Sequence, residues 1–245
     1  MGRLVLALLV CLLWGLAVPA EADVAFDAFS ASAAGTTTRS WTHTPVGTPR
    51  AALIFCTADN GVDEISTVTY GGTAATELSG SPNLLTTGET GQVSAFFLGA
   101  SIPTGAQTVV CTASATTNNK VGTAITLTGG ADTETIDIDA TVNGANVTNP
   151  SVTLSLSSRT AFAALGYYSG HVATATAPLS GWTARSEVDG AAESIGVYSY
   201  DTVSTSDVTA GWTQTDNDAV MIAVAVSEVV AGGVTPKGLL LGVLP

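Results

Sequence analysis

Between residues 36 and 229 one order of short, mostly apolar segments occurs twice. In the first pass the segments are 40–44, 51–57, 66–70 with 74–78, 92–98, 107–113 and 121–128, bounded by Gly, Pro, Asn or Asp. In the second, 151–156 answers 40–44, 159–165 answers 50–56, 195–200 answers 93–98, 207–214 answers 106–113 and 219–226 answers 120–127. An arginine, Arg50 or Arg159, opens the second segment of each pass. No window of twelve or more residues after Asp23 sustains a helical period. Short strands at this spacing, with turn residues between them, are the pattern of an all-β sandwich or barrel. The 37 threonines and 26 glycines agree, because a β-branched side chain suits a strand and glycine suits a turn.

The two pseudo-repeats, 36–130 and 148–229, are compatible with two tandem six-stranded sandwiches or with one antiparallel β-sandwich of about twelve strands whose halves interleave in a jelly-roll-like way. The connection 129–149 alternates Ile136 and Ile138 with Asp137 and Asp139, which reads as a further strand more than a linker. That favours a single β-sandwich domain over residues 23–230. In the last segment Val220, Ile222, Val224 and Val226 share one face, and Ala219, Met221, Ala223 and Ala225 the other. Both faces are apolar, which predicts a central strand, whereas Thr108 and Thr112 put a hydroxylated row outward.

Both ends of the chain differ from this middle. Arg3 precedes fifteen uncharged apolar residues, 4–18, followed by Pro19-Ala20-Glu21-Ala22. At about 1.5 Å per residue the run falls short of a ~30 Å hydrocarbon core, and Ala20-x-Ala22 is a cleavage signal, so residues 1–22 read as a signal peptide of a secreted protein with no stable membrane span after cleavage. Residues 231–245 read as a linker and an apolar tail, suited to docking on their own domain or on a second copy in a homo-oligomer or larger assembly. Cleavage would leave two cysteines, Cys56 and Cys111, both in apolar strands. In an oxidising compartment they are a candidate disulfide; the other reading is two buried thiols serving as small hydrophobes.

Charge and residue counts exclude several functions. The net charge is −13, with only two lysines, so nucleic acid is not an expected partner. Two histidines, His43 and His171, leave no His-rich metal site, and Gly166-Tyr167-Tyr168-Ser169-Gly170-His171 is not a G-x-S-x-G nucleophile elbow. His43, alternating with Trp41, reads as a packed strand histidine. Hard cations such as Ca²⁺ want several oxygen ligands, which makes Asp59, Asp63 and Glu64 a candidate metal site, with Asp216-Asn217-Asp218 a second acidic cluster. Turns collect the same residue types for backbone reasons, and the spacing of a calcium loop is absent. Trp182, Tyr167 and Tyr168, near His171, are candidates for an exposed glycan-binding platform; the other reading is rings packed in the core. Asn146-Val147-Thr148 is a glycosylation sequon in a eukaryotic secretory route.

Three stretches, Ser40-Trp41-Thr42-His43-Thr44-Pro45-Val46-Gly47, Val68-Thr69-Tyr70-Gly71-Gly72-Thr73-Ala74 and Ile102-Pro103-Thr104-Gly105-Ala106-Gln107-Thr108-Val109, resemble a module of uncharacterised bacterial secreted and phage-associated proteins. The resemblance covers about residues 25–228. It implies a β-sandwich on an extracellular or virion surface and brings no catalytic residues. The expectation is therefore a non-enzymatic exported structural or assembly protein, without a required cofactor. The alternative is a carbohydrate-binding or adhesion module using the exposed aromatics, with Ca²⁺.

Overall fold

Residues rich in Ala, Val, Ile and Thr form the strands, and every pairing between them is antiparallel. The computed structural model describes residues 24–99, 102–116, 118–129, 135–155, 161–170, 177–189, 194–204, 206–215 and 217–227. The first half contributes β1 (Ala25–Ala31), β2 (Arg39–His43), β3 (Ala51–Ala58), β4 (Ile65–Tyr70), β5 (Thr73–Ala74), β6 (Thr76–Glu77), β7 (Asn83–Leu85), β8 (Gly91–Gly99), β9 (Gln107–Ala113) and β10 (Lys120–Thr128). The second half contributes β11 (Thr135–Val147), β12 (Ser151–Leu154), β13 (Ala161–Ser169), β14 (Ala177–Pro178), β15 (Thr183–Asp189), β16 (Ser194–Ser204), β17 (Val208–Thr213) and β18 (Asn217–Ser227). The described residues contain no helix.

The internal repeat reappears as topology. One sheet runs β1-β10-β3-β8-β6, with β7 also on β8, and its counterpart runs β11-β18-β13-β16-β15. The smaller sheets run β2-β9-β4-β5 and β12-β17-β14. Eight of the ten strands of the first half thus have an equivalent at the same place in the second, all but β5 and β7, and β11, in the connection read as a further strand, is the equivalent of β1. The expected interleaving is not found: among the described residues every strand pairing stays within one half. β1 itself escapes the alternation pattern because its register shifts between Phe26 and Ala28, so that Phe26 and Phe29 lie three apart instead of two.

Among the described residues three cores separate four layers. In the first half, Ala52, Ile54 and Cys56 of β3 pack against Val68 and Tyr70 of β4 and Val109 and Cys111 of β9. In the second, Leu165 and Tyr167 of β13 and Met221 of β18 pack against Leu154 and Trp212. The remaining faces of the two larger sheets meet each other: Leu53 and Phe55 of β3 and Val93 and Phe97 of β8 share a core with Phe162 and Tyr168 of β13 and Val220, Ile222 and Val224 of β18. A strand covered on both faces must be apolar on both. That is why β3 and β18 read as continuous apolar runs while β2, β9 and β12 alternate.

The two inner sheets face each other in opposite strand order. Phe26 of β1 stacks on Phe162 of β13 at 6.4 Å between ring centroids, and the Arg185 guanidinium of β15 sits 3.8 Å above the Phe26 ring. At the other end Asn83 Nδ2 of β7 donates to the Met221 carbonyl of β18 at 3.0 Å. Arg185 is further held by Asp201 and by the Ser199 hydroxyl.

Candidate functional site

The aromatic platform expected from the sequence lies in the interior. Tyr167 and Tyr168 are adjacent on β13, so their side chains point to opposite faces of a strand that is covered on both. Tyr167 enters the outer core of the second half, 4.6 Å from the Trp212 ring and 5.0 Å from the Tyr198 ring by centroid. Tyr168 enters the central core, and its hydroxyl donates to Asp59 Oδ1 at 2.8 Å. Trp182 is 7% exposed; its Nε1 donates to the Thr209 carbonyl at 2.8 Å and its ring meets Tyr200 edge-on. A stacking surface for a sugar needs an accessible ring face, and these three residues present none. His171 lies outside the described residues, as do the segments 1–22 and 231–245.

The acidic turn between β3 and β4 is the best-built polar site of the described chain, though not as a calcium loop. Asp59 accepts from Tyr168. Asp63 Oδ1 accepts from its neighbour's backbone, Ile65 N at 3.2 Å, and from Gln92 Nε2 at 3.0 Å. Gln92 Oε1 in turn accepts from Glu64 N at 3.0 Å. Glu64 points inward, only 3% exposed, and its Oε2 lies 2.7 Å from Nζ of Lys120, itself 1% exposed. The other carboxylate oxygen, Oε1, accepts from Asn60 Nδ2 at 2.5 Å and Asn118 Nδ2 at 3.0 Å. The three acids therefore diverge to separate partners. No group of three or more His, Cys, Asp or Glu able to hold a metal gathers among the described residues. In the second acidic cluster Asp218 accepts the backbone N–H of Glu89 and, at 2.9 Å, that of Asn146.

Burial pushes the Glu64 carboxyl up, but the bonds from Lys120, Asn60 and Asn118 and the Lys120 charge outweigh it, leaving its pKa below the ordinary value. Lys120 opens β10 opposite Ala58 of β3 and also donates to the Asn118 carbonyl at 3.0 Å. Lysine is almost never fully buried without a partner. One of only two lysines in the chain opening an apolar strand is the signal in the sequence that points here; the acids drew attention instead.

A second polar cluster surrounds His43. Thr126 donates its only hydroxyl proton to Asp27 Oδ2 at 2.8 Å, so at 3.0 Å from His43 Nε2 it must accept. That places the imidazole proton on Nε2 and leaves Nδ1 to accept from the Ser30 hydroxyl at 2.7 Å, while Ser30 accepts from Trp41 Nε1 at 3.0 Å. Burial lowers the His43 pKa, with Asp27 pulling it partly back. The Tyr70 ring lies 5.8 Å from that of His43. Burial first and Asp27 second raise the Tyr70 pKa to about 12, and its hydroxyl has no hydrogen-bond partner.

Compared with protein families, curated proteins and solved structures, the chain matches none. Cys56 of the inner sheet and Cys111 of the outer sheet are joined as a disulfide, with 6.3 Å between their Cα atoms, and this covalent tie crosses the core of the first half.

Proposed function

We propose that the chain is a non-enzymatic, exported structural protein that forms or decorates an extracellular surface structure or a virion-like particle. The observation that carries this reading is where the chemistry-bearing side chains go. Among the described residues, His43, Glu64, Tyr167, Tyr168 and Trp182 are buried and bonded within the fold, while the exposed positions of the outer sheets include Ser40, Thr42, Thr67, Thr108, Thr153, Thr209 and Thr213. Such a surface offers hydroxyls and methyls without fixed charge. The disulfide supports an oxidising destination, and a tie across one core and four stacked layers suit a load-bearing role. In this reading copies associate through the apolar tail, residues 231–245.

Light scattering on the secreted chain, with and without residues 232–245, tests the proposal. Particles or oligomers that shrink on truncation are expected. A full-length chain that stays monomeric at every concentration would overturn it.

A further inference from the structure

We infer that Lys120 and Asn60 are joined by an isopeptide bond whose formation is promoted by Glu64. The inference does not depend on the proposed assembly role. It rests on one carboxyl group that holds an amine and a carboxamide side by side: Lys120 Nζ at 2.7 Å from Oε2 and Asn60 Nδ2 at 2.5 Å from Oε1. Asn60 follows β3 and Lys120 opens β10, neighbouring strands paired at Ala58 and Lys120, so the two side chains leave the same end of the same sheet. Glu64 reaches them from the start of β4 in the facing sheet. Asn118 shares Oε1 at 3.0 Å, but it lies two residues from Lys120, too close along the chain to bridge two strands.

The chemistry needs a neutral amine, a proton shuttle and a dry site. An ammonium and a carboxylate buried together both lose their hydration, a penalty that the neutral pair escapes. Passing one proton from Lys120 Nζ to Glu64 Oε2 removes both charges. The free amine then attacks Cγ of Asn60, forming the N–C bond. Glu64 protonates Nδ2 as the C–N bond of the carboxamide breaks, and takes back the proton that the attacking nitrogen sheds. The products are a secondary amide, a neutral Glu64 and one ammonia; no oxidant or reductant is involved. Lysine is an effective nucleophile once desolvated and deprotonated, and holding both reactants on one carboxyl group supplies the proximity that a bimolecular reaction lacks.

Intact mass of the reduced, denatured secreted chain reads the result directly. The expected mass is one ammonia below that calculated for the secreted residues, and chymotryptic digestion is expected to release the Asn60 and Lys120 segments as one branched species. Lys120→Arg, which keeps the charge for Glu64 but is no nucleophile, is expected to restore the full mass, as are Asn60→Ala and Glu64→Gln. A wild-type chain at full mass overturns the inference. So does an ammonia loss that survives in Lys120→Arg, because Asn60 precedes Gly61 and an Asn-Gly succinimide would give the same loss without a cross-link. Where a variant fails to fold, the wild-type digest decides: a branched Asn60–Lys120 species supports the inference, and an ammonia loss without one overturns it.

Discussion

Tyr168 of β13 lies so close over Gly91 of β8 that a Cβ at position 91 would stand 2.1 Å from Tyr168 Cδ1. The two residues belong to different halves of the chain, and the contact recurs in reverse: Phe55 of the first half covers Gly166 of the second, where a Cβ would stand 2.6 Å from Phe55 Cδ1. Each half thus sends an aromatic ring from its central strand into a hollow that only glycine leaves open. Gly91→Ala and Gly166→Ala are each expected to lower stability by about 1–3 kcal/mol through overpacking, seen as a lower urea midpoint at unchanged m-value. Unchanged midpoints in both variants would contradict this packing of the halves.

Two tyrosine hydroxyls in similar surroundings should respond with opposite sign. Tyr168 donates to Asp59, so Tyr168→Phe loses a hydrogen bond to a charged group and is expected to cost about 1.5–3 kcal/mol. Tyr70 is fully buried with its hydroxyl unpartnered, so Tyr70→Phe removes a desolvated polar atom and is expected to be neutral or stabilising by about 1 kcal/mol. Denaturant melts of the two variants check the pair; equal losses would contradict the assignment.

His43 makes stability depend on pH in a defined window. Its folded pKa is depressed by burial, so the unfolded chain takes up the proton first. The contribution is fully present above the unfolded value of about 6.5 and is lost as pH falls from there through the folded value, by about 1.4 kcal/mol for each unit between the two. Protonation would put an N–H on Nδ1 facing Ser30, whose own proton would lose its acceptor. The free energy of unfolding measured from pH 7.5 to 5 is expected to fall in the wild type and to fall less in His43→Gln. Parallel curves for the two proteins would remove His43 from the account.

The disulfide closes a loop with a sequence separation of 55 and ties the inner sheet of the first half to its outer sheet. Replacing both cysteines by alanine is expected to cost about 2–5 kcal/mol, with a melting temperature insensitive to reductant where the wild type's falls. A wild-type melt unaffected by reductant under denaturing conditions would show the thiols unpaired.

Much of the fold was legible because strand alternation reports directly on burial. The five matched segment pairs fall on equivalent strands, and Val220 to Val226 with Ala219 to Ala225 announced a strand covered on both faces. The functional candidates were less legible for a related reason. Tyr167 and Tyr168 read as an exposed pair because they sit beside turn residues, yet adjacent residues on a doubly covered strand enter two different cores. Asp59, Asp63 and Glu64 read as one cluster because they are close in sequence, whereas the chain turns between them and sends each carboxylate to a different partner.

Local periodicity by itself determined that this chain is all-β, internally duplicated, and apolar on both faces of its central strands, since pleat and β-branching act within a few residues. Tertiary structure alone decided what covers those faces. The halves stack and do not interleave, the rings of Phe55 and Tyr168 find Gly166 and Gly91, and Lys120, Asn60 and Glu64 meet at one carboxyl group. Each of these contacts joins residues far apart along the chain, and nothing in a strand's own pattern records which distant surface will exclude water from it.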